Sequence, residues 1–378
     1  MGEYSPGKFD YGGREMLSLG FMTLDLQHEQ VYFSEIARNA SDYQIICYRF
    51  VPSKINPLTE MVEGEVFNCE TNDWIKSHFP LPNILYDRCF YKDDFHSKQC
   101  KGIVNWLKTK ESIQFLGIGL PNKLMIYETL SKSKLAPYLP STIQVHSPEI
   151  ALHYLYKWNQ IILKPIDGSQ GNGIYRMEKQ NQQIMVRTDK VEKQVARLFV
   201  DESDWLTWMH RLMSKREFML QPFLPLYNEN RQPFDIRSLL QKDQDGDWTL
   251  VGTGIRQGQE DGIVSNLSVG GTIIAFELWQ NSLPPQKRNF VTDEIKEILK
   301  ELPTIMEKQF PPLFELGVDI GMAKDYSLWI LDINSKPGRK VLLMNRPELK
   351  EYLSKSPLLY AKLLQERRAP TLEKTLFD

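Results

Sequence analysis

The chain has 378 residues, 42% of them hydrophobic and 25% charged, with 46 Lys and Arg against 48 Asp and Glu. This is the composition of a globular protein long enough for two or three domains, and it excludes a disordered chain. A formal net charge of −2 gives no electrostatic footprint for nucleic acid or an anionic membrane as the main partner.

No run approaches the ~20 apolar residues of a bilayer span. The opening Met1-Gly2-Glu3-Tyr4-Ser5-Pro6 lacks the basic and apolar regions of a secretory signal. Cys47, Cys69, Cys89 and Cys100 show no C-x-x-C spacing, which reads as free thiols in a reducing cytosol rather than a zinc site. His146 and His153 are seven apart, a spacing that fits one helical face, but no further ligand stands near them, so both read as structural or surface residues.

In chain order, the first ~115 residues alternate strand-like and helix-like runs, as α/β domains do. Leu17–Met22 reads as a strand, Val31–Ala40 as a helix, and Gln44–Phe50 as a strand stopped by Pro52. Gly64–Phe67 and Asn83–Arg88 read as further strands, the second entered through Phe79-Pro80-Leu81-Pro82. Asp87 and Arg88 fall at the carboxyl end of their strand, the edge where open α/β sheets bind ligands; a solvated turn pair is the equal alternative.

A second region begins near Pro121. Lys123–Ser133 reads as a helix, Pro137–Thr142 as a loop, and Ser147-Pro148-Glu149 as a helix start with Ser as N-cap. Ile161–Pro165 is a strand, and Ile174–Met177 with Gln183–Arg187 suits a hairpin. Trp205, Trp208, Met209 and Leu212 stand at helical spacing and read as core. Beyond Phe218, strands are expected at Phe218–Gln221, Ile236–Gln241, Trp248–Ile255 and Thr272–Glu277, then a helix over Thr292–Gln309. The final ~30 residues read as helical, with Ser356-Pro357 as their start.

Two stretches carry chemistry. In Leu163-Lys164-Pro165-Ile166-Asp167-Gly168-Ser169-Gln170-Gly171-Asn172-Gly173, a strand ends in a lysine and three glycines follow within six residues. The next run is strand-like, so this is neither a P-loop nor a dinucleotide fingerprint, both of which lead into a helix. It reads as a hairpin flap whose N–H groups close over phosphates, with the Lys164 ammonium on the same phosphates. Near the end, Gly317-Val318-Asp319-Ile320-Gly321 and Trp329-Ile330-Leu331-Asp332-Ile333-Asn334 flank the polar turn Lys324-Asp325-Tyr326-Ser327. A hairpin there brings Asp319 beside Asp332, with Asn334 on the same face as Asp332. Oxygen-only ligands of this kind suit Mg²⁺ held together with substrate phosphates. Between the two stretches, Arg237 and Arg256 are candidates to stabilise charge on a transferring phosphoryl group or a tetrahedral intermediate.

The ordered set Lys-Pro-x-x-Gly-Ser-Gln-Gly-x-Gly, Asp235-Ile236-Arg237, Arg256-Gln257, Ser265-Asn266 with Gly270-Gly271, Gly317-Val318-Asp319-Ile320 and Asp332-x-Asn334-x-x-Pro337-Gly338 resembles the ATP-grasp superfamily, in its glutamate ligase-like branch. Phe50-Val51-Pro52, Tyr86-Asp87-Arg88, Leu120-Pro121-Asn122-Lys123 and Asn334-Ser335-Lys336-Pro337-Gly338-Arg339 are similar to the YheC/YheD endospore-coat-associated family.

The resemblance implies an α/β (α+β) ATP-grasp fold with a Rossmann-like pre-ATP-grasp domain over 1–119. The subdomains would be 120–217 with the flap and 218–345 with the metal site, followed by a helical tail, 346–378. It implies ATP and Mg²⁺ as cofactors. Lys123 and Lys164 would meet the phosphates and Gly168, Ser169, Gln170, Gly171 and Gly173 would form the flap. Main-chain groups of Gln221 and Phe223 would hold adenine, and Asp235, Ser265 and Asn266 would make further nucleotide contacts.

Asp319, Asp332 and Asn334 would be the Mg²⁺ ligands, and Arg256 the arginine of the reacting centre. The implied activity is carboxylate–amine ligation through an acyl phosphate, with unnamed amino-acid or peptide substrates, in the cytoplasm of a spore-forming bacterium and in contact with spore-coat proteins. The alternative is a weak or inactive member with a structural role in the coat. The pattern departs at Asp332, where Glu is usual, and at Pro222, where an acidic residue is common.

Overall fold

A computed structural model describes residues 16–168, 173–190, 193–310 and 312–375. The first unit contains β1 (Leu17–Met22), α1 (Gln30–Arg38), β2 (Ile45–Phe50), β3 (Met61–Asn68), β4 (Asp73–Pro80), β5 (Ile84–Asp87), α2 (Phe95–Leu107) and β6 (Gln114–Phe115). The sheet order is β4-β3-β2-β1-β5-β6. The β2-β1-β5-β6 half is parallel, and β3 and β4 add an antiparallel edge. β4, α2 and the two-residue β6 escape the sequence pattern. β4 ends on Pro80, which is tolerated because β4 is an edge strand. In α2 the buried stripe Ser97, Cys100, Val104, Leu107 hides its helical spacing behind a serine and a cysteine.

The second sheet takes in α3 (Lys123–Ser131), β7 (Ile143–Val145), α4 (Pro148–Trp158), β8 (Gln160–Pro165), β9 (Tyr175–Gln180), β10 (Gln183–Lys190), β11 (Lys193–Phe199), α5 (Glu202–Met213) and β12 (Phe218–Pro222). Its order is β11-β10-β9-β8-β12-β7, with antiparallel pairing throughout. Trp205 and Met209 of α5 are fully buried against it, as their spacing requires. His146 precedes α4, so it shares no helical face with His153.

The third sheet, β15-β14-β13-β16-β17, is built from β13 (Phe234–Lys242), β14 (Trp248–Gln257), β15 (Thr272–Ala275), β16 (Glu315–Met322) and β17 (Leu328–Asn334). α6 (Phe276–Ser282) begins at Phe276, so the strand expected to reach Glu277 stops two residues short. α7 (Pro285–Gln309) packs Val291, Ile295, Ile298, Leu302 and Met306 into the core beneath this sheet.

After α8 (Lys340–Asn345) comes α9 (Leu349–Thr375), which starts seven residues before Ser356. Pro357 lies inside α9 and cannot donate to the carbonyl of Leu353. That carbonyl accepts instead from the Tyr32 hydroxyl at 3.3 Å, which satisfies the group the proline leaves free. Leu358, Tyr360 and Ala361 of α9 enter the core of the first sheet, so the last helix is a packed element of that unit rather than an appendage.

Candidate functional site

The second and third sheets face each other across a cavity with an empty volume of about 1030 Å³, part of it open to solvent. One wall is β8 and β12, and the other is the ends of β13, β14, β16 and β17.

Strand register places the charged residues. Asp319 stands opposite Asp332, Gly317 opposite Asn334, Arg237 opposite Asp319, and Asp235 opposite Arg256. Directly opposed residues share a sheet face, as do residues two apart on one strand. Asp235, Arg237, Arg256, Asp319, Asp332 and Asn334 therefore lie on one face across four strands. Gly317 makes room there, because a Cβ added to it would fall 2.6 Å from the Arg237 guanidinium.

Each acidic group has defined partners. Asp319 takes Arg237 on one oxygen and Arg256 on the other, the latter at 2.8 Å. Burial alone would raise the Asp319 pKa; the two guanidinium groups outweigh it and hold the carboxyl below its ordinary value. Asp235 accepts two parallel bonds from Arg256, both at 2.8 Å, and a third from the Ser265 hydroxyl. Asp235 and Ser265 were expected to touch nucleotide; both line the cavity, where Asp235 holds Arg256 and accepts from Ser265. Arg237 was a candidate for phosphoryl contact; it pairs with Asp319 and is not among the residues that line the cavity. The Nη1 of Arg256 has no partner among the described residues, and Arg256 lines the cavity, as does Asn266.

The opposite wall is cationic. Lys123 opens α3, where the Asn122 side chain caps Met125 N–H at 3.0 Å, and its ammonium lies 2.7 Å from Asp332. Lys164, on β8, is half-buried and has no hydrogen-bond or ion-pair partner among the described residues. Its pKa is pushed down to about 8, chiefly by burial and next by the Lys123 ammonium. Three cations, Lys123, Lys164 and Arg256, and three carboxylates, Asp235, Asp319 and Asp332, thus line one space, and among the described residues Lys164 is the one of these cations without an ion pair.

β8 and β9 pair antiparallel around the glycine stretch, the strand–loop–strand order its sequence requires. Gly168 and Gly173 have φ of +144° and +77°, backbone that favours glycine. Gly168 lines the cavity; Ser169, Gln170 and Gly171 lie outside the described residues.

At the far end of the cavity lies Phe223, whose main-chain groups were expected to hold adenine. Its N–H is committed to the Gln160 carbonyl at 3.1 Å, while Leu224 N–H has no partner among the described residues. The Phe223 ring instead lies 3.9 Å from the Arg176 guanidinium. Gln221 is buried inside β12 and its amide reaches Thr142 at 2.9 Å.

The donor set fits a hard divalent cation. It consists of oxygens alone, and the Asn334 amide nitrogen donates to Asp332 at 3.2 Å, while the amide oxygen has no partner among the described residues. Asp319 keeps acceptor capacity, since a carboxylate offers about four lone-pair sites. Among the described residues, no group of three or more His, Cys, Asp or Glu gathers as a metal site, so the amide oxygen of Asn334 is needed to complete this one.

The segment after Asn334 is anchored by the first unit. Ser335 Oγ accepts from Leu120 N–H at 3.0 Å, and Lys336 reaches Asp87 at 2.7 Å and the Cys89 carbonyl at 2.9 Å. Arg88 donates to the Pro337 carbonyl at 3.3 Å, to Glu315 at 2.6 Å and to both oxygens of Glu29. Arg339 joins Glu315 at 2.9 Å and Tyr86 at 2.7 Å. Asp87 and Arg88 are thus neither ligand edge nor solvated turn; both are buried and grip the chain that leaves β17. Glu29 and Glu315 carry no signal in the sequence, because their partners lie in distant segments.

A family model described as YheC/D-like ATP-grasp matches residues 112–364. The chain is 36% identical over 344 residues to the endospore coat-associated protein YheC of Bacillus subtilis (strain 168), covering 91% of this chain and 94% of that protein. It is 23% identical over 315 residues to the endospore coat-associated protein YheD of the same organism, covering 82% and 68%. Among solved structures, D-alanyl-alanine synthetase A from Vibrio cholerae O1 biovar eltor str. N16961 matches with a TM-score of 0.56 at 11% identity, covering 93% of this chain and 99% of that one. At that identity the likeness is one of fold.

Proposed function

The chain belongs to the YheC/D-like ATP-grasp family, and from that premise we propose that it is an ATP- and Mg²⁺-dependent ligase joining a carboxylate to an amine. The observation that carries this reading is the Lys164 ammonium, which has no hydrogen-bond or ion-pair partner among the described residues and lines one cavity with Asp319 and Asp332, the latter bonded to Asn334. A half-buried cation with no direct ion pair among the described residues is a site for an anion, and hard oxygens beside it suit the metal that accompanies a triphosphate.

In this reading Lys164 and Lys123 neutralise phosphate oxygens, and the apolar end of the cavity, with Leu224 N–H on its rim, takes the base. Asp332, Asn334 and Asp319 would hold Mg²⁺, which supplies Lewis-acid polarisation of phosphoryl oxygens. The carboxylate of the first substrate attacks the γ-phosphorus and ADP leaves, giving an acyl phosphate. The amine then attacks the acyl carbon, phosphate leaves, and the amine gives up a proton. Arg256, locked by Asp235 and Asp319 with its Nη1 free, stabilises the oxyanion between those steps.

A phosphate-release assay with panels of amino acids and peptides tests the proposal. ADP formation that no carboxylate stimulates would sink it.

A second reading is favoured by the Lys123–Asp332 ion pair, which occupies a carboxylate oxygen of the metal set. The protein would then bind nucleotide without turnover and act through contacts with coat proteins, in line with its relatives' being named endospore coat-associated proteins. Calorimetry with Mg-ATP on the parent and on Lys164→Ala separates the two: tight binding without turnover favours the second. Among the described residues, no helix is long and apolar enough to cross a membrane.

A further inference from the structure

The loop between β14 and β15 carries Ile263, Val264, Ser265 and Asn266, all of which line the cavity. Loop N–H groups ordinarily face water. Here the N–H groups of Ile263 and Val264 both point at one carboxylate oxygen of Asp189, at 2.6 and 3.0 Å. Asp189 lies on β10, in the sheet of the opposite wall.

Its register partner on β11 is Gln194, which donates to Asp189 at 3.2 Å and to the Asp261 carbonyl at 3.1 Å. Together they form a fork that grips residues 261–264. A second tie runs beside it, from Arg176 to the Tyr227 hydroxyl at 3.2 Å and from that hydroxyl to the Gly262 carbonyl at 3.3 Å.

The residue after Val264 is Ser265, whose hydroxyl donates to Asp235, the carboxylate that orients Arg256. A continuous series of contacts therefore runs from the β10–β11 hairpin, through the loop backbone, to the arginine on the other side of the cavity.

We propose that Asp189 is a positioning residue: it fixes the loop that carries Ser265 and so sets where Arg256 stands relative to Lys164. The chemical consequence rests on the ligase reading, while the mechanical tie does not. Bonds from backbone N–H to a carboxylate are charge-assisted and roughly twice as strong as neutral ones. Asparagine at this position keeps the shape and loses the charge.

The test uses the full chain without nucleotide. In the parent, the Ile263 and Val264 amides are protected from hydrogen exchange despite lying in a loop. In Asp189→Asn they exchange about tenfold faster, the size of effect expected for losing a bond to a charged group, with the β13 amides unchanged. In Gln194→Ala, a change at an exposed side chain, exchange at 261–264 rises by a smaller factor. Where a substrate pair supports turnover, Asp189→Asn lowers kcat more than it raises the KM for ATP, because Arg256 acts after binding.

Unprotected amides at 263 and 264 in the parent, or protection unaltered in Asp189→Asn, overturns the proposal. The parent measurement decides even if the variant does not fold. Failure of Mg-ATP to bind the parent refutes the ligase reading and leaves the exchange result standing.

Discussion

The Lys123 ammonium lies 2.7 Å from a carboxylate oxygen of Asp332, a contact between residues 209 apart in sequence. It joins the helix that starts the second unit to the strand that carries the metal set. In the ligase reading both partners have other work, Lys123 on phosphate and Asp332 on Mg²⁺. Asp332→Ala is therefore expected to bind ATP without Mg²⁺ at least as well as the parent, since Lys123 is released. It should lose about tenfold or more of the affinity that Mg²⁺ adds, equivalent to ~1.4 kcal/mol. Calorimetry with and without a chelator reads both terms; an unchanged Mg²⁺ dependence would remove Asp332 from the metal set.

Lys164 gives a pH dependence of definite sign. Burial, with Lys123 adding to it, lowers its pKa from 10.5 to about 8. In the free protein the ammonium is lost as pH rises through about 8, and a bound triphosphate favours the charged form. Mg-ATP affinity should thus fall above about pH 8, with proton uptake on binding. Lys164→Ala should bind more weakly at neutral pH and lose this slope. Stability of the free protein responds in the opposite direction. Between about 8 and 10.5 the unfolded chain holds the proton that the folded chain has released, so this group's contribution to stability rises with pH across that window. Calorimetry from pH 6.5 to 9.5, taken as about one and a half units either side of the folded value, would show the affinity change.

Much of this was legible because it is local. Glycine spacing after Lys164 gave the strand–loop–strand turn, and Asp332-x-Asn334 gave two candidate ligands on one face because strand side chains alternate. What stayed hidden depends on register between distant strands. Nothing in Asp235 says that its oxygens accept from Arg256 and Ser265, or that Phe223 N–H is used by Gln160 while Leu224 N–H has no partner among the described residues. Asp87 and Arg88 were placed correctly at a strand end, but their partners Lys336 and Glu315 arrive more than 200 residues later. Pro357 misled for a different reason: a proline marks a helix start unless another group takes the carbonyl it leaves free, as Tyr32 does here.

The Asp235–Arg256 pair is nearly fully buried. Removing one member leaves the other charged and unpaired, so Asp235→Ala should cost about 3–5 kcal/mol. Asp319 still holds one nitrogen of Arg256, which argues for the lower end of that range. Asp235→Ala combined with Arg256→Ala should cost less than the two single changes added together, because the second change removes the stranded charge. Urea denaturation of the four proteins measures the coupling; additive losses would show that the pair does not act as a unit.

Arg88 yields the last prediction. Its guanidinium is fully buried and serves Glu29, Glu315 and the Pro337 carbonyl together, a fork that a lysine cannot reproduce. Burial alone would raise the Glu29 pKa, but Arg88 first, and then Arg339, hold it below 4.5. Glu29 therefore contributes stability that is present above pH 4.5 and lost as pH falls through its lower folded value. Arg88→Met removes the main opposing charge and leaves burial to raise the Glu29 pKa. The variant should lose about 3–5 kcal/mol at neutral pH, and acid unfolding should begin at a higher pH than in the parent. Arg88→Lys should recover only part of that loss. Because Arg88 also holds the chain three residues beyond Asn334, Arg88→Met should weaken the Mg²⁺-dependent part of nucleotide binding without touching the cavity itself. Urea titrations across acid pH, paired with calorimetry at neutral pH, read the two effects separately. A stability loss with the Mg²⁺ term intact would confine Arg88 to holding the units together.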